Sequence, residues 1–327
     1  MFYVSFTLFI AQIEATQENQ QALICKSGDH SKLCEPHKIV QETMTDELCQ
    51  DLLGCCWNAE KKKCYQPQIR EIQPHGCGKI DMTRKSKEKL VWPSAVIFVF
   101  NPPSKSYCQG TLITPTSIVT AAHCFHNQQT ATVENVTAYL VDPHGKTAPS
   151  ISIDLKNDVF VNPGYVRFGS DDFDVALVKL QREFSDINTP CLPDLQELNS
   201  SSPDTVLCEG LKLTNLDTND PITFSKSFTR LDMKVRNMTE CGGPEASICT
   251  TAVDQTSQLC RGDSGGPLVC RDQSNSLVLE GVLNGGPGYC FDDSRTEENF
   301  YAALSMVRFW LQKILLDPEA KGLEGSD

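Results

Sequence analysis

Beyond position 90 the chain alternates short apolar runs with turn residues. Runs at 95–99, 110–114, 117–121, 133–141, 175–180 and 277–283 are rich in Val, Ile, Leu and Thr. Short β-branched runs separated by turns predict the strands of an all-β sandwich or barrel rather than βαβ units. The period changes near the end, where Leu304, Val307, Trp310, Leu311, Ile314 and Leu315 recur at spacings of three and four. That spacing predicts one amphipathic helix over 304–316, with a face to pack against the sheets. Residues 68–89 are polar, carry Arg84, Lys85, Lys87 and Lys89 close together, and read as a linker. At the other end, residues 2–13 are mostly apolar and lead into Ile13-Glu14-Ala15, which predicts a signal peptide over 1–15.

No later run approaches the roughly 18 apolar residues of a membrane span, so no membrane partner is expected. The 327 residues carry a net charge of −13 and a pI near 4.9, which argues against a nucleic-acid or anionic-membrane role. Sixteen cysteines point to disulfides and to a secreted, extracellular protein. Neither a metal nor a cofactor is expected, because no Cys-x-x-Cys pair or His-rich cluster offers a site. Export would also make Asn135, Asn199 and Asn237 glycan acceptors, each within an Asn-x-Ser/Thr triplet. Six of the sixteen cysteines fall between Cys25 and Cys64, in a segment too short to bury a core of its own. Disulfides there would supply what the core lacks.

Candidate chemistry centres on Cys260-Arg261-Gly262-Asp263-Ser264-Gly265-Gly266-Pro267. A hydroxyl nucleophile needs a tight turn with backbone N–H groups aimed at the developing negative charge, and the glycines permit that close approach. A serine hydroxyl also needs a neighbouring imidazole, which in turn needs a buried carboxylate to fix its tautomer. Thr120-Ala121-Ala122-His123-Cys124 supplies a histidine at the end of one apolar strand, and Phe173-Asp174-Val175 an aspartate at the entry to another. The order His, Asp, Ser and these motifs resemble the trypsin/chymotrypsin family over residues 77–316.

The resemblance implies a mainly β, chymotrypsin-like double β-barrel with a C-terminal helix, acting as a serine endopeptidase on protein substrates. It implies His123 as general base, Asp174 as its orienter, Ser264 as nucleophile, and the N–H groups of Gly262 and Ser264 as oxyanion hole. It also implies the pairs Cys77–Cys191, Cys108–Cys124, Cys208–Cys270, Cys241–Cys249 and Cys260–Cys290. Within the family the likeness is greatest to the complement factor B type, through Cys77-Gly78 ahead of Trp92-Pro93, the approach to the serine, and the tail from Trp310. Alignment to the family puts Gln258, Asn284, Gly286 and Asn299 in the substrate-binding pocket, with Gly285 where a tryptophan wall is usual.

Cys25, Cys34, Cys49, Cys55-Cys56-Trp57 and Cys64-Tyr65-Gln66-Pro67 resemble a trefoil (P-type) domain. That likeness implies the pairs Cys25–Cys56, Cys34–Cys55 and Cys49–Cys64. It leaves open a stabilising or spacing module and a mucin-type glycan ligand. The expected organisation is a signal peptide (1–15), a trefoil-like module (25–67), a linker (68–89), a protease domain (90–316) and a tail (317–327).

One departure stands out. Ordinary family members are activated by cleavage before Ile-Val-Gly-Gly, whose new amino group pairs with the aspartate preceding the serine, and no such segment lies between Cys77 and Trp92. Asp263 would then lack an ammonium partner, which predicts conditional activity, an activating protein partner and weak turnover of small esters. The alternative function is a non-proteolytic or partner-dependent binding protein on a protease scaffold.

Overall fold

The computed structural model of the chain describes residues 34, 45–67, 76–79, 94–101, 106–129, 135–140, 150–168, 171–184, 187–193, 207–213, 228–244, 247–254, 258–286 and 298–317. Outside them lie the expected signal peptide, Cys25, the basic cluster at 84–89, Trp92-Pro93, Asn199, Cys290 and the tail from 318. The chain divides into two units, Met1–Ile72 and Gln73–Asp327.

In the first unit, β1 (Cys56–Asn58) and β2 (Lys63–Tyr65) pair antiparallel, with Trp57 opposite Cys64. Disulfides join Cys34 to Cys55 and Cys49 to Cys64, and Cys56 is also disulfide-bonded. The buried hydrophobic residues described here are Leu53, Tyr65 and five cysteines, Cys34, Cys49, Cys55, Cys56 and Cys64. Sulfur therefore fills the space that aliphatic side chains fill in a larger domain.

The second unit is built from two antiparallel sheets. The first comprises β3 (Ala95–Asn101), β4 (Ser106–Thr114), β5 (Ser117–Thr120), β6 (Asn135–Leu140), β7 (Ser150–Ile153), β8 (Val159–Val161) and β9 (Ala176–Lys179). Its seven strands lie in the order β7-β6-β3-β4-β5-β9-β8. β10 (Leu207–Leu213), β11 (Phe228–Val235), β12 (Ser247–Ala252), β13 (Pro267–Arg271), β14 (Leu277–Gly285) and β15 (Glu298–Ala303) close a barrel in the order β10-β11-β12-β15-β14-β13. Each sheet has its own core, one around Val96, Phe98, Phe100, Leu112, Ile118 and Phe125, the other around Leu231, Met233, Leu268 and Tyr301. The fold is the mainly β, chymotrypsin-like architecture that the motifs imply.

Each apolar run read from the sequence coincides with a strand or its centre. Strands β10, β11 and β15 escaped that reading because they are buried on one face and carry Glu209, Lys212, Arg230, Asp232 and Glu298 among their apolar residues. Helices besides the expected one are present among the described residues. Short helices also form at α1 (His123–Gln129), α2 (Pro163–Phe168) and α3 (Met238–Cys241), each too brief to show a helical period, before the expected α4 (Leu304–Leu316).

The buried face of α4 is Leu304, Val307, Arg308, Trp310, Leu311, Gln312 and Ile314. Arg308 and Gln312 are a second departure from the expected stripe, and Leu315 is only half-buried. Burial of Arg308 is compensated by donation from its guanidinium to the Pro193 carbonyl. The second unit also holds disulfides Cys77–Cys191, Cys108–Cys124, Cys208–Cys270 and Cys241–Cys249, and Cys260 is disulfide-bonded as well. Cys77 and Gly78, at the edge of the expected linker, are tied into this unit. Gly78 N–H donates to the Thr189 carbonyl at 2.8 Å, and Leu277 N–H donates back to Gly78 at 3.2 Å. Asn135 and Asn237 are exposed. No helix among the described residues is long and apolar enough to cross a membrane.

The helix face yields a stability prediction. Trp310, 4% exposed, should cost about 3–5 kcal/mol when replaced by Ala. Leu316, 44% exposed, should change stability by less than about 0.5 kcal/mol as Leu316→Ser. Denaturant unfolding of the two variants measures the contrast.

Candidate active site

β5 ends at Thr120, and two small buried residues, Ala121 and Ala122, turn the chain into α1, whose first residue is His123. The Ala122 carbonyl accepts from Phe125 N–H at 3.0 Å and His126 N–H at 2.9 Å, which closes that first turn. From beneath, Cys124 is bonded to Cys108 of β4, and the Phe125 ring meets Phe98 and Phe100 edge-on at 5.1 and 5.4 Å. The histidine therefore stands on a rigid base.

Asp174, fully buried, follows a short turn at Asp171–Phe173 and precedes β9. Its two oxygens grip one residue. Oδ1 accepts from the His123 backbone N–H at 2.7 Å, and Oδ2 lies 2.6 Å from His123 Nδ1. With Nδ1–H donated to the carboxylate, Nε2 becomes the basic nitrogen. Burial pushes the imidazole pKa down, but the hydrogen bond and charge of Asp174, with the charge of Asp171, outweigh it and leave the group above its ordinary 6.5. Asp171 is a contributor the sequence reading missed, although the acidic run before Phe173 signals it.

Ser264 sits half-buried on a turn whose geometry requires glycine at two positions. Asp263 N–H donates to the Cys260 carbonyl at 2.9 Å, and Gly262 between them has φ of 101°, the positive value that the third residue of a type II turn demands. Gly265 has φ of 77°, and a Cβ there would lie 2.3 Å from both the Gln109 carbonyl and Thr120 Oγ1. The nucleophile turn is thus pressed against β4 and the end of β5, next to His123. Gln109 N–H donates to the Ser264 carbonyl at 2.7 Å. Among the described residues no hydrogen bond joins Ser264 Oγ to His123, a contact that in free enzymes often tightens only when substrate binds.

Beside Ser264 opens a cleft of about 320 Å³, the size of a small side-chain pocket. Asn284, Gly285 and Gly286 line one wall and Leu259, Cys260 and Arg261 another, so the structure brings Asn284 and Gly286 to the serine. Asn284 is held there by donation from Nδ2 to the Asp171 carbonyl at 2.7 Å. Gln258 and Asn299 are placed differently. Neither lines the cleft, and Asn299 is 2% exposed, its Oδ1 3.2 Å from where a Cβ on Gly286 would be. Arg261, exposed at the rim, is the charged residue the sequence reading left out. The sulfur clusters at Cys34, Cys55 and Cys64 and around Cys108 and Cys124 are disulfides, so neither offers thiolates to a metal.

The raised imidazole pKa sets a pH dependence. With neutral His123 as the expected base, labelling of Ser264 by a fluorophosphonate should rise with pH through a midpoint above 6.5. Asp174→Asn should slow labelling by about 10⁴-fold and move the midpoint down, because the hydrogen bond and charge that raise it are gone. An unmoved midpoint in Asp174→Asn would mean that another group sets it.

A family model described as Trypsin matches residues 84–311. Coagulation factor XII of Cavia porcellus is 26% identical over 235 residues, covering 64% of this chain and 36% of that protein. A venom serine protease of Polistes dominula is 29% identical over 208 residues, covering 59% and 71%. The inactive CLIP domain-containing serine protease A8 of Anopheles gambiae is 24% identical over 306 residues, covering 84% and 77%. The chain thus spans about a third of factor XII and about three quarters of the two insect proteins. Because the family match takes in more than half of the sequence, including His123, Asp174 and Ser264, the chain belongs to the trypsin family of serine proteases.

Proposed function

We propose that the chain is a secreted serine endopeptidase in which His123, Asp174 and Ser264 form the catalytic triad. The observation that carries this reading is the His123 Nδ1–Asp174 Oδ2 contact of 2.6 Å beside the cleft that Ser264 lines. Ser264 Oγ bonds to the scissile carbonyl carbon while its proton passes to His123 Nε2. The resulting oxyanion is stabilised by the N–H groups of Gly262 and Ser264. As the C–N bond breaks, His123 returns the proton to the leaving amine, and water then repeats the sequence to release the acyl group. Asn284 and Gly286 hold the substrate, with Asn299 behind Gly286 and Gln258 next to the opposite wall at Leu259. A disulfide-built first unit and paired cysteines in the second suit an extracellular setting. Residues 25–67 are read as a trefoil module that locates the protease on a mucin-type glycan or spaces it.

Activity is proposed to be conditional and feeble on small esters. Gly285 presents no side chain where an apolar wall would hold substrate. The Asp263 carboxyl, pushed up by burial to about 7, changes charge near neutrality. A second reading, a binding protein that needs a partner or does not cleave, is favoured by the same bare wall and by the likeness to a protein named inactive.

Fluorophosphonate labelling of the purified chain separates the two. Modification at Ser264 that disappears in Ser264→Ala, with slow ester turnover, is the expected result. No labelling before or after limited trypsin cleavage favours the binding protein.

A further inference from the structure

Asp263 is 2% exposed and has no step in the mechanism above. Among the described residues no ion pair reaches it, although the charge of Lys212 on β10 acts on it without contact. A carboxylate taken out of water must find donors or push apart the structure around it. Three neutral donors meet it. Cys260 N–H donates to Oδ2 at 2.7 Å, and Leu213 N–H and Gln109 Nε2 donate to Oδ1 at 2.6 and 2.8 Å.

Only Gln109 brings a side chain, and it meets this turn through both its side chain and its main chain. It is 1% exposed on β4, next to Cys108. Its main-chain N–H holds the Ser264 carbonyl at 2.7 Å, and its carbonyl accepts from Thr120 Oγ1 at 2.7 Å. Its Nε2 also reaches the Leu211 carbonyl on β10 at 3.2 Å. One residue therefore grips the turn at both Asp263 and Ser264, and spans from the first sheet to the barrel.

We propose that Gln109 is a positioning residue whose neutral amide stands in for a counter-ion on Asp263, holding the nucleophile turn in shape without an inserted amino terminus. The proposal rests on reading Ser264 as the nucleophile. It requires the charge on residue 109, and not merely its bulk, to govern the turn.

Gln109→Glu, Gln109→Lys and Gln109→Met separate charge from bulk. Lys212 on β10 and Tyr301 on β15 also couple to the charge of Asp263. Both are common to every variant, as is His123, so the ratio of variant to wild-type fluorophosphonate labelling at each pH divides them out. Two adjoining carboxylates cannot both ionise, whereas an ammonium favours the ionised acid. From about pH 6 to about pH 9 the ratio for Gln109→Glu should therefore fall by about tenfold or more, and that for Gln109→Lys should rise. Gln109→Met, which lacks the donor, should fall less steeply. Ratios flat across pH in all three variants would overturn the proposal.

Melting temperatures over the same range supply a readout that needs no reactive serine. Opposite slopes for Glu and Lys there, with no labelling of wild type, would uphold the clamp and sink the nucleophile assignment. Flat melting curves with normal labelling would sink the clamp alone. Should Gln109→Glu not fold, the falling Met and rising Lys curves carry the same contrast.

Discussion

The site depends on what two buried carboxylates require. Asp174 and Asp263 are 0% and 2% exposed, and a carboxylate so placed is tolerated only when its lone pairs are met by donors. Asp174 takes both of its described donors from His123, and thereby fixes the ring's position and tautomer together. Asp263 draws on three separate segments: β4 through Gln109, β10 through Leu213, and its own turn through Cys260. The first carboxylate orients the His123 imidazole, and the second fastens a strand of the first sheet to the turn that carries Ser264. Removing donors from either would leave a charge without compensation at the place where geometry matters most to the reaction.

Close packing at the glycines enforces the same arrangement from the opposite direction. A methyl group on Gly265 would strike the Gln109 carbonyl and Thr120 Oγ1 at 2.3 Å, so this turn meets β4 and β5 with no room between them. Gly262, by contrast, has nothing within 4 Å of its Cβ position, and its glycine answers to backbone conformation alone. Attraction at Asp263 and contact at Gly265 therefore act on either side of Ser264. The cleft wall at Gly285 is looser. A Cβ there would meet the Phe300 ring and Cβ only at 3.8 Å, ordinary contact distance, so the missing side chain opens the site and does not relieve a clash.

The parts of this architecture legible in the sequence are those whose signal is local. Strands dominated by apolar residues, such as β3, announce themselves, and so does α4, because thirteen residues give the helical period time to show. His123, Asp174 and Ser264 could be named because each sits in a short motif with its own chemical rationale. Strands β11 and β15 could not, since one-sided burial mixes charged and apolar positions. Arg308 and Gln312 were invisible on the helix face for a related reason: polar residues become good core residues only when an acceptor such as the Pro193 carbonyl is supplied from far away. Gln109 is the extreme case. Its partner Asp263 lies 154 positions along the chain, and nothing near residue 109 marks it beyond a polar side chain in an otherwise buried strand.

A neutral clamp and a cationic one are not equivalent ways to hold the same carboxylate. An ammonium partner lowers the pKa of the acid it meets, keeping the pair charged and locked throughout the neutral range. The backbone N–H groups of Leu213 and Cys260, the charge of Lys212 and the Gln109 amide also favour the ionised form, but here desolvation outweighs them and leaves Asp263 at about 7. The sign follows from linkage: a carboxyl raised from 3.8 binds its proton more tightly in the folded chain, so folding loses support as pH rises from about 4 towards 7 and beyond. Compensation without an ion pair thus couples the turn that bears Ser264 to proton concentration in a way that a paired cation would suppress. No Ile-Val-Gly-Gly segment stands between Cys77 and Trp92, and the carboxyl of Asp263 is left responsive to pH.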